Sequence, residues 1–433
     1  MKADGVLPSG GAHRDGGDGD DSASRSPSPS SFPPATFYDV TRTYEDNYVN
    51  GPFGAFADSG RASTAAAAPM PSAGAYSQPV SVDEASPNEA SVATFPASSS
   101  SMTHLLGFPV RVPFGIPAGP LLNSRFTTAA FRHGFDVAVY KTVRSRAWPC
   151  NPFPNVLAVH PAAADGQLDP RGSEPDAGVL ADRSYANPPS ISNSFGVPSR
   201  DPDVWQPDMR DAIAAAGSGQ LLVPSFQGSR TPDMDADDYV ADHVRTARLV
   251  CETGARLMEM NTSCPNEGHN RLLCHDPRLV GRIAEDVKNE IGDRPLVVKL
   301  AWLPDDASLE LMVRSTAARG LVQGFATINT ISARLIDSRG RQALPGDGRE
   351  RSGVCGDAIR DAGRDMVRRL AAIRERLGLD FVIVGVGGVV SAGDYLDYRQ
   401  DGADAVMSAT GAMADPELGH RVAAVAGVAH GGR

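Results

Sequence analysis

From Leu105 onward the chain alternates short apolar, β-rich runs with longer amphipathic stretches, and this alternation restricts the fold more than any other feature. The runs are FGIPAG at 114–119, VAVYKT at 137–142, LLVPSF at 221–226, LMEMN at 257–261, LVVKL at 296–300, FATIN at 325–329, FVIVGVGG at 381–388 and DAVMSAT at 404–410. Between most of them lie helical patterns, at 203–216, 236–254, 278–291, 306–319, 356–377 and 392–401. Strands that alternate with helices predict parallel βαβ units, the α/β class. A count of eight fits a closed (β/α)8 TIM barrel better than an open sheet. The barrel is expected to occupy residues 101–433.

Two regions depart from this rhythm. Residues 143–200 are rich in Pro, Asn, Asp and Gly and contain no convincing helix, so a long loop insertion is expected there. Within a compact barrel so long an irregular connection is usually functional. Residues 1–100 are low in complexity, as in SRSPSPSSFPP and STAAAAPMPSAGAYS. Their sparse, aperiodic apolar residues cannot offset the entropy of ordering, so a mostly disordered N-terminal extension is expected, with short ordered pieces near FYDVTRTYEDNYV. A plain tail and a regulatory or partner-binding tail both fit such a composition.

Bulk properties exclude several classes of function. A net charge of −11 argues against a nucleic-acid partner, because phosphate neutralisation needs a basic face. The Arg-rich stretch 349–373 reads as helix-surface charge. The five cysteines, Cys150, Cys251, Cys264, Cys274 and Cys355, are odd in number and form no CxxC pair, so neither a metal site nor an iron–sulfur cluster is expected. A reduced, cytoplasmic protein is the expectation. The N-terminus lacks an apolar signal core, and no run of about 18 apolar residues predicts a membrane span.

Polar residues at the ends of apolar strands point to the site. In a barrel the reactive groups sit at the C-terminal ends of strands. Lys141, Asn261, Lys299 and Asn329 fall there. An unpaired polar group at a buried strand end costs a few kcal/mol, so four on one rim argue for a shared ligand. A lone one would read as a structural ion pair. The densest signal is Asn261-Thr262-Ser263-Cys264-Pro265-Asn266, directly after the apolar LMEM.

That loop resembles the active-site loop of the class 1, cysteine-type dihydroorotate dehydrogenases, and the similarity covers about 105–428. The resemblance implies an FMN-dependent oxidoreductase acting on CH–CH bonds that oxidises (S)-dihydroorotate to orotate in pyrimidine biosynthesis. Cys264 would take a proton from C5 while a hydride leaves C6 for the flavin. A thiolate can serve as that base if its pKa is lowered from about 8.5 by nearby cations or donors; taken alone, Cys264 could equally be a small buried residue. PAGPLLNS at 117–124 is similar to the first-strand segment that approaches the flavin, implying Ala118 and Gly119 as cofactor contacts. YKTV at 140–143 and CNPFPN at 150–155 resemble the family's Lys segment and Asn-Pro-x-Pro pattern. Lys141 would then lie between flavin and substrate as a catalytic and binding group, with Thr142 beside the flavin. By the same resemblance Lys299 faces the pyrimidine end of the flavin, where a cation stabilises its reduced anion.

Asn193, in a segment similar to a substrate loop, joins Asn261, Asn266, Asn329 and Thr330 as the implied substrate set. Asparagine both donates and accepts, which suits the alternating C=O and N–H edge of a pyrimidine. Asn261 is also implied at the flavin. Gly387 and Gly388 after the seventh strand, with Thr410 after the eighth, read as the phosphate site; a glycine turn that merely closes a loop is the plainer alternative. Ser352-Gly353-Val354-Cys355-Gly356 is read as opening the helix 357–377, with Gly356 under the flavin and Cys355 in packing.

Three departures from the family pattern bear on specificity: Asn155 where many relatives carry Arg, Ala409 where they often carry Gly, and an extended 156–190 stretch. The alternatives are a dihydropyrimidine dehydrogenase-like activity on uracil or thymine, and a flavoenzyme of secondary metabolism acting on an unsaturated carbonyl. A non-enzymatic barrel scaffold is the remaining class. The resemblance also implies a homodimer, or a chain that passes electrons to a separate electron-transfer subunit.

Overall fold

Strands buried on both faces must read as unbroken apolar runs rather than as alternating ones. The computed structural model, which describes residues 36–59, 102–263 and 272–430, contains eight such strands. They are β1 (Phe114–Ile116), β2 (Val137–Val143), β3 (Leu221–Phe226), β4 (Met258–Asn261), β5 (Leu296–Leu300), β6 (Gly324–Thr327), β7 (Val382–Val386) and β8 (Ala405–Met407). Each pairs in parallel with the next, and β8 returns to β1 through Val406 opposite Phe114, closing a (β/α)8 TIM barrel.

Side-chain parity then decides what fills the barrel. Val137, Val139, Leu221, Val223, Leu257, Val297, Val384, Val386, Ala405 and Met407 form one inner apolar cluster. Leu105 and Val110, from the antiparallel hairpin 103–110, join that cluster from one end. The alternate residues, among them Ala138, Tyr140, Leu222, Met258, Met260 and Val298, belong to the larger core shared with the outer helices. Continuing the inward parity past the apolar layer brings the polar residues Lys141, Ser225, Glu259, Asn261 and Lys299 to the C-terminal end.

The helices of the outer ring carry local signals that set their ends. Asp235 and Ser391 each open a helix with a reciprocal capping box. Asp276 caps a helix that begins with Pro277, and Gly378 ends the helix Arg360–Leu377 in the left-handed conformation. The helix Ser124–Arg132, between β1 and β2, is additional to the periodic stretches seen in the sequence. Among the described residues no helix is long and apolar enough to cross a membrane.

The segment 143–200 is not an irregular loop. It contributes the strands Ala158–His160, Val179–Asp182 and Ser190–Asn193 and a short helix, Glu174–Ala177. These pair with Ile331–Ile336 and Arg351–Gly356 into a closed five-stranded sheet. The stretch 352–356 is therefore a strand, antiparallel to both 331–336 and 190–193, and the helix begins only at Arg360. Strands of three to six residues paired across about 150 positions leave no periodic trace in either segment.

Residues 36–59, within the stretch read as an extension, form a strap on the barrel. Thr43 caps the helix Tyr44–Asn50, accepting from Asp46 N–H. The fully buried Asn47 side chain accepts from Asp39 N–H at 2.8 Å and donates to the carbonyls of Asp39 and Thr43 at 2.9 Å. Phe37 and Phe56 stack at 4.4 Å, and Phe56 stacks in turn on His133 of the barrel.

Candidate active site

The ends of seven barrel strands, the small sheet and the strap enclose one cleft, with about 1000 Å³ of atom-free space that is partly open to solvent. Pro117–Pro120 line it from beyond β1, Lys141 and Thr142 from β2, Glu259 and Asn261 from β4, and Lys299 from β5. Asn329 and Thr330 follow β6, Val386 ends β7, and Ala409, Thr410 and Met413 follow β8. The small sheet supplies Ile191, Ser192, Asn193 and Cys355, and the strap supplies Tyr38 and Tyr44.

Ten of the residues singled out in the sequence thus meet around one space: Ala118, Gly119, Lys141, Thr142, Asn193, Asn261, Lys299, Asn329, Thr330 and Thr410. Gly356, Gly387 and Gly388 line a narrower recess that shares Asn329, Cys355 and Thr410 with the cleft. Cys264 and Asn266 lie outside the described residues.

Strand register explains the polar cluster at the floor. Lys299 stands opposite Asn261, and Ser225 opposite Glu259. Asn261 donates to Gln227 Oε1 at 2.6 Å and accepts from the Ser263 hydroxyl at 3.1 Å. Asn329 donates to that same Ser263 Oγ at 3.0 Å. Thr262 donates to the Lys299 carbonyl at 2.7 Å. The chain entering residue 264 is therefore held by side chains from three strand ends. Lys141 Nζ donates to the carbonyls of Thr142 and Pro198, both at 3.4 Å.

Burial lowers the pKa of Lys299 below the ordinary lysine value, and the charge of Glu259 works against that fall. Burial raises the thiols of Cys150 and Cys355 to about 11 and that of Cys274 to about 12, and raises that of Cys251 as well. The four described cysteines are accordingly thiols, not thiolates, near neutral pH.

Glu259, which lines the cleft, and Arg349, which braces the strand carrying Asn193, were not singled out in the sequence as site residues. Glu259 sits between two methionines in an apolar run, but its separation of two from Asn261 places both on the inward face. Arg349 was read with the stretch 349–373 as helix-surface charge, but it is buried just before the strand Arg351–Gly356 and lies outside the helix, which begins at Arg360. Its buried guanidinium donates to the carbonyls of Pro152 and Pro345 at 2.8 Å, to that of Pro154 at 3.0 Å and to Ser194 Oγ at 2.9 Å. It ties the 150–155 loop to the end of the strand that carries Asn193. Asn155 supports the same junction, donating to the carbonyls of Asn151 and Ser194 at 3.0 Å.

The sequence pattern of one protein family, described as dihydroorotate dehydrogenase, matches residues 186–424. A dihydroorotate dehydrogenase of Dictyostelium discoideum is 31% identical over 390 residues, spanning 88% of this chain and 95% of that protein. The catalytic subunit of dihydroorotate dehydrogenase B (NAD(+)) from Thermodesulfovibrio yellowstonii is 29% identical over 245 residues, covering 56% of this chain and 74% of that one. A dihydroorotate dehydrogenase (quinone) of Paracidovorax citrulli is 29% identical over 325 residues, or 71% and 79% of the two chains.

Proposed function

The chain belongs to the dihydroorotate dehydrogenase family, and from that premise we propose that it oxidises (S)-dihydroorotate to orotate, with FMN, as a class 1 enzyme of pyrimidine biosynthesis. The observation that carries this reading is the convergence of Asn193, Asn261, Asn329, Thr330 and Lys141 on one cleft, above the apolar filling of the barrel. Amides that donate and accept, beside an ammonium, match the edge of a planar imide bearing a carboxylate.

The residues present fit FMN. Gly119 has a φ of 141° and a Cβ there would meet no atom within 4 Å, so bare backbone faces the open cleft. Gly388 has a φ of 66°, and a side chain there would run into Arg360, so the turn after β7 is open only to glycine. With Gly356, Gly387, Thr410 and the recess they border, this turn would hold the phosphate. Ala118, Gly119, Thr142, Asn261 and Lys299 would hold the ring system. Bound FMN supplies the acceptor for the C6 hydride.

The remaining chemistry belongs to the chain. Asn193, Asn261, Asn266, Asn329 and Thr330 bind the ring amides and carboxylate, and Lys141 balances the negative charge of the substrate. Lys299 brings its amino group to the floor, screened from water, where the charge of Glu259 favours its protonated form. Cys264 removes the C5 proton. That assignment comes from the resemblance of the loop 261–266 to the family's active-site loop, and the hydrogen bonds that anchor Ser263 immediately before it support it. The names of the relatives carry NAD(+) in one case and quinone in another, so the proposal covers the substrate half-reaction alone.

Anaerobic mixing of the purified protein with dihydroorotate tests it, read as loss of flavin absorbance near about 450 nm. Rapid bleaching is expected. A yellow protein that bleaches with dihydrouracil and not with dihydroorotate would reject orotate as the product.

A further inference from the structure

Two tyrosines reach the cleft from outside the barrel, on the strap that precedes it. Tyr38 is 3% exposed and Tyr44 8%, and both line the cleft. Their rings pack edge-on against Phe195, at 5.7 Å and 6.2 Å between centroids. Phe195 lies two residues beyond Asn193, so the tyrosines stand at the substrate end rather than at the glycine recess.

Their position is fixed by contacts remote from the cleft. Asn123 and Arg125 donate to the Tyr48 carbonyl at 3.0 Å and 2.6 Å. The Arg200 guanidinium covers the Tyr48 ring and pairs with Glu45. With the Phe37–Phe56 stack, these contacts hold the strap helix at both ends.

What distinguishes the pair is the state of their hydroxyls. A buried tyrosine O–H usually finds a partner. Elsewhere this fold provides one: Tyr140 donates to Asp208 at 2.6 Å, and Tyr398 to the Gly387 carbonyl at 2.7 Å. Neither Tyr38 nor Tyr44 has a hydrogen bond from its hydroxyl to any described residue. Burial raises both pKa values above the ordinary phenol value, so both are O–H donors throughout the neutral range. Two phenol donors on buried rings, without partners among the described residues and lining a cleft that also holds Lys141 and three asparagines, suit acceptor oxygens on a ligand.

We propose that Tyr38 and Tyr44 are substrate-binding residues that donate their hydroxyls to the carboxylate or ring carbonyl oxygens of the anion in the cleft. This assignment rests on reading the cleft as the dihydroorotate site. The strap would then complete the binding site and not merely cover it.

Orotate titrated into the full-length flavoprotein, followed by the perturbation of flavin absorbance, tests the assignment. Phenylalanine keeps the packing on Phe195, so Tyr38→Phe with Tyr44→Phe removes only the donors. The double variant should bind orotate at least about tenfold more weakly, as expected for hydrogen bonds to a charged group, with an unchanged unfolding midpoint. Equal affinity in wild type and double variant would overturn the assignment alone. If the double variant does not fold, the single variants decide, each expected to be several-fold weaker. No orotate binding by the wild type would overturn the reading of the cleft and this inference together.

Discussion

Ser225 donates its hydroxyl to Glu259 at 3.0 Å, from the position directly opposite on the neighbouring barrel strand. Thr142 Oγ1 lies 3.0 Å from the same Ser225 oxygen, so the Glu259 carboxylate is held by a chain of hydroxyls under the cleft. Its charge opposes the loss of the proton from buried Lys299. The lysine pKa is lowered, so the cation is lost as pH rises, and earlier than for an ordinary lysine. Glu259→Gln should move that loss to still lower pH. Flavin midpoint potential measured as a function of pH would show it. Superimposable profiles in the two proteins would refute the coupling.

Cys264→Ala should leave the protein yellow and slow its reduction by dihydroorotate at least roughly a hundredfold, the lower range of a general-base contribution. Stopped-flow traces near about 450 nm are the measurement, since oxidised flavins absorb there. Unaltered traces would remove Cys264 from the mechanism.

Arg349 is buried and hydrogen-bonded to carbonyl and hydroxyl oxygens alone, so it serves as a knot and not as half of an ion pair. Arg349→Met should cost about 3–5 kcal/mol of stability, since several buried acceptors lose their donors. Arg349→Lys should recover little of it, because an ammonium cannot reproduce the planar fork. Denaturant unfolding of the three proteins would decide, with equal midpoints counting against the knot.

His243 is fully buried, and burial lowers its pKa to about 4. Nδ1 lies 2.9 Å from the Tyr239 carbonyl, while Nε2 has no partner among the described residues. The folded form therefore holds a neutral ring, and the unfolded chain takes up the proton first, near the ordinary value of about 6.5. Stability should fall as pH drops from about 6.5 to about 4 and level off below, a loss of about 3 kcal/mol from this residue. His243→Gln should flatten that part of the acid limb in thermal melts. An identical slope in both proteins would exclude His243 as its source.

The barrel was legible in the sequence because a doubly buried strand has no choice but to be an apolar run, and LVVKL or LLVPSF can be little else. The same periodicity exposed Lys141, Asn261 and Lys299, polar residues at the ends of such runs. Glu259 obeyed the rule equally but lay inside its run, between Met258 and Met260, where it was read as part of the strand. The small sheet was illegible for a different reason. Strands such as Ala158–His160 are too short to show alternation, and their order comes from pairing with residues far along the chain. Arg351–Gly356 shows no apolar alternation either, since Gly353 and Gly356 interrupt it. Tyr38 and Tyr44 sit in FYDVTRTYEDNYV, where the sequence let short ordered pieces be expected, but the contacts that hold it, from Asn123, Arg125 and Arg200, come from far along the chain and left no trace there.

The roof of the cleft is stitched from two excursions of the chain, one leaving the barrel after β2 and the other after β6. What joins them is backbone pairing, indifferent to the side chains turned toward the ligand. Changes at roof positions such as Ile191 or Asn193 can therefore retune one end of the cleft, while the turns at the glycine end keep their pairing. The roof can thus vary by single side chains without any change to the pairing that holds it over the barrel.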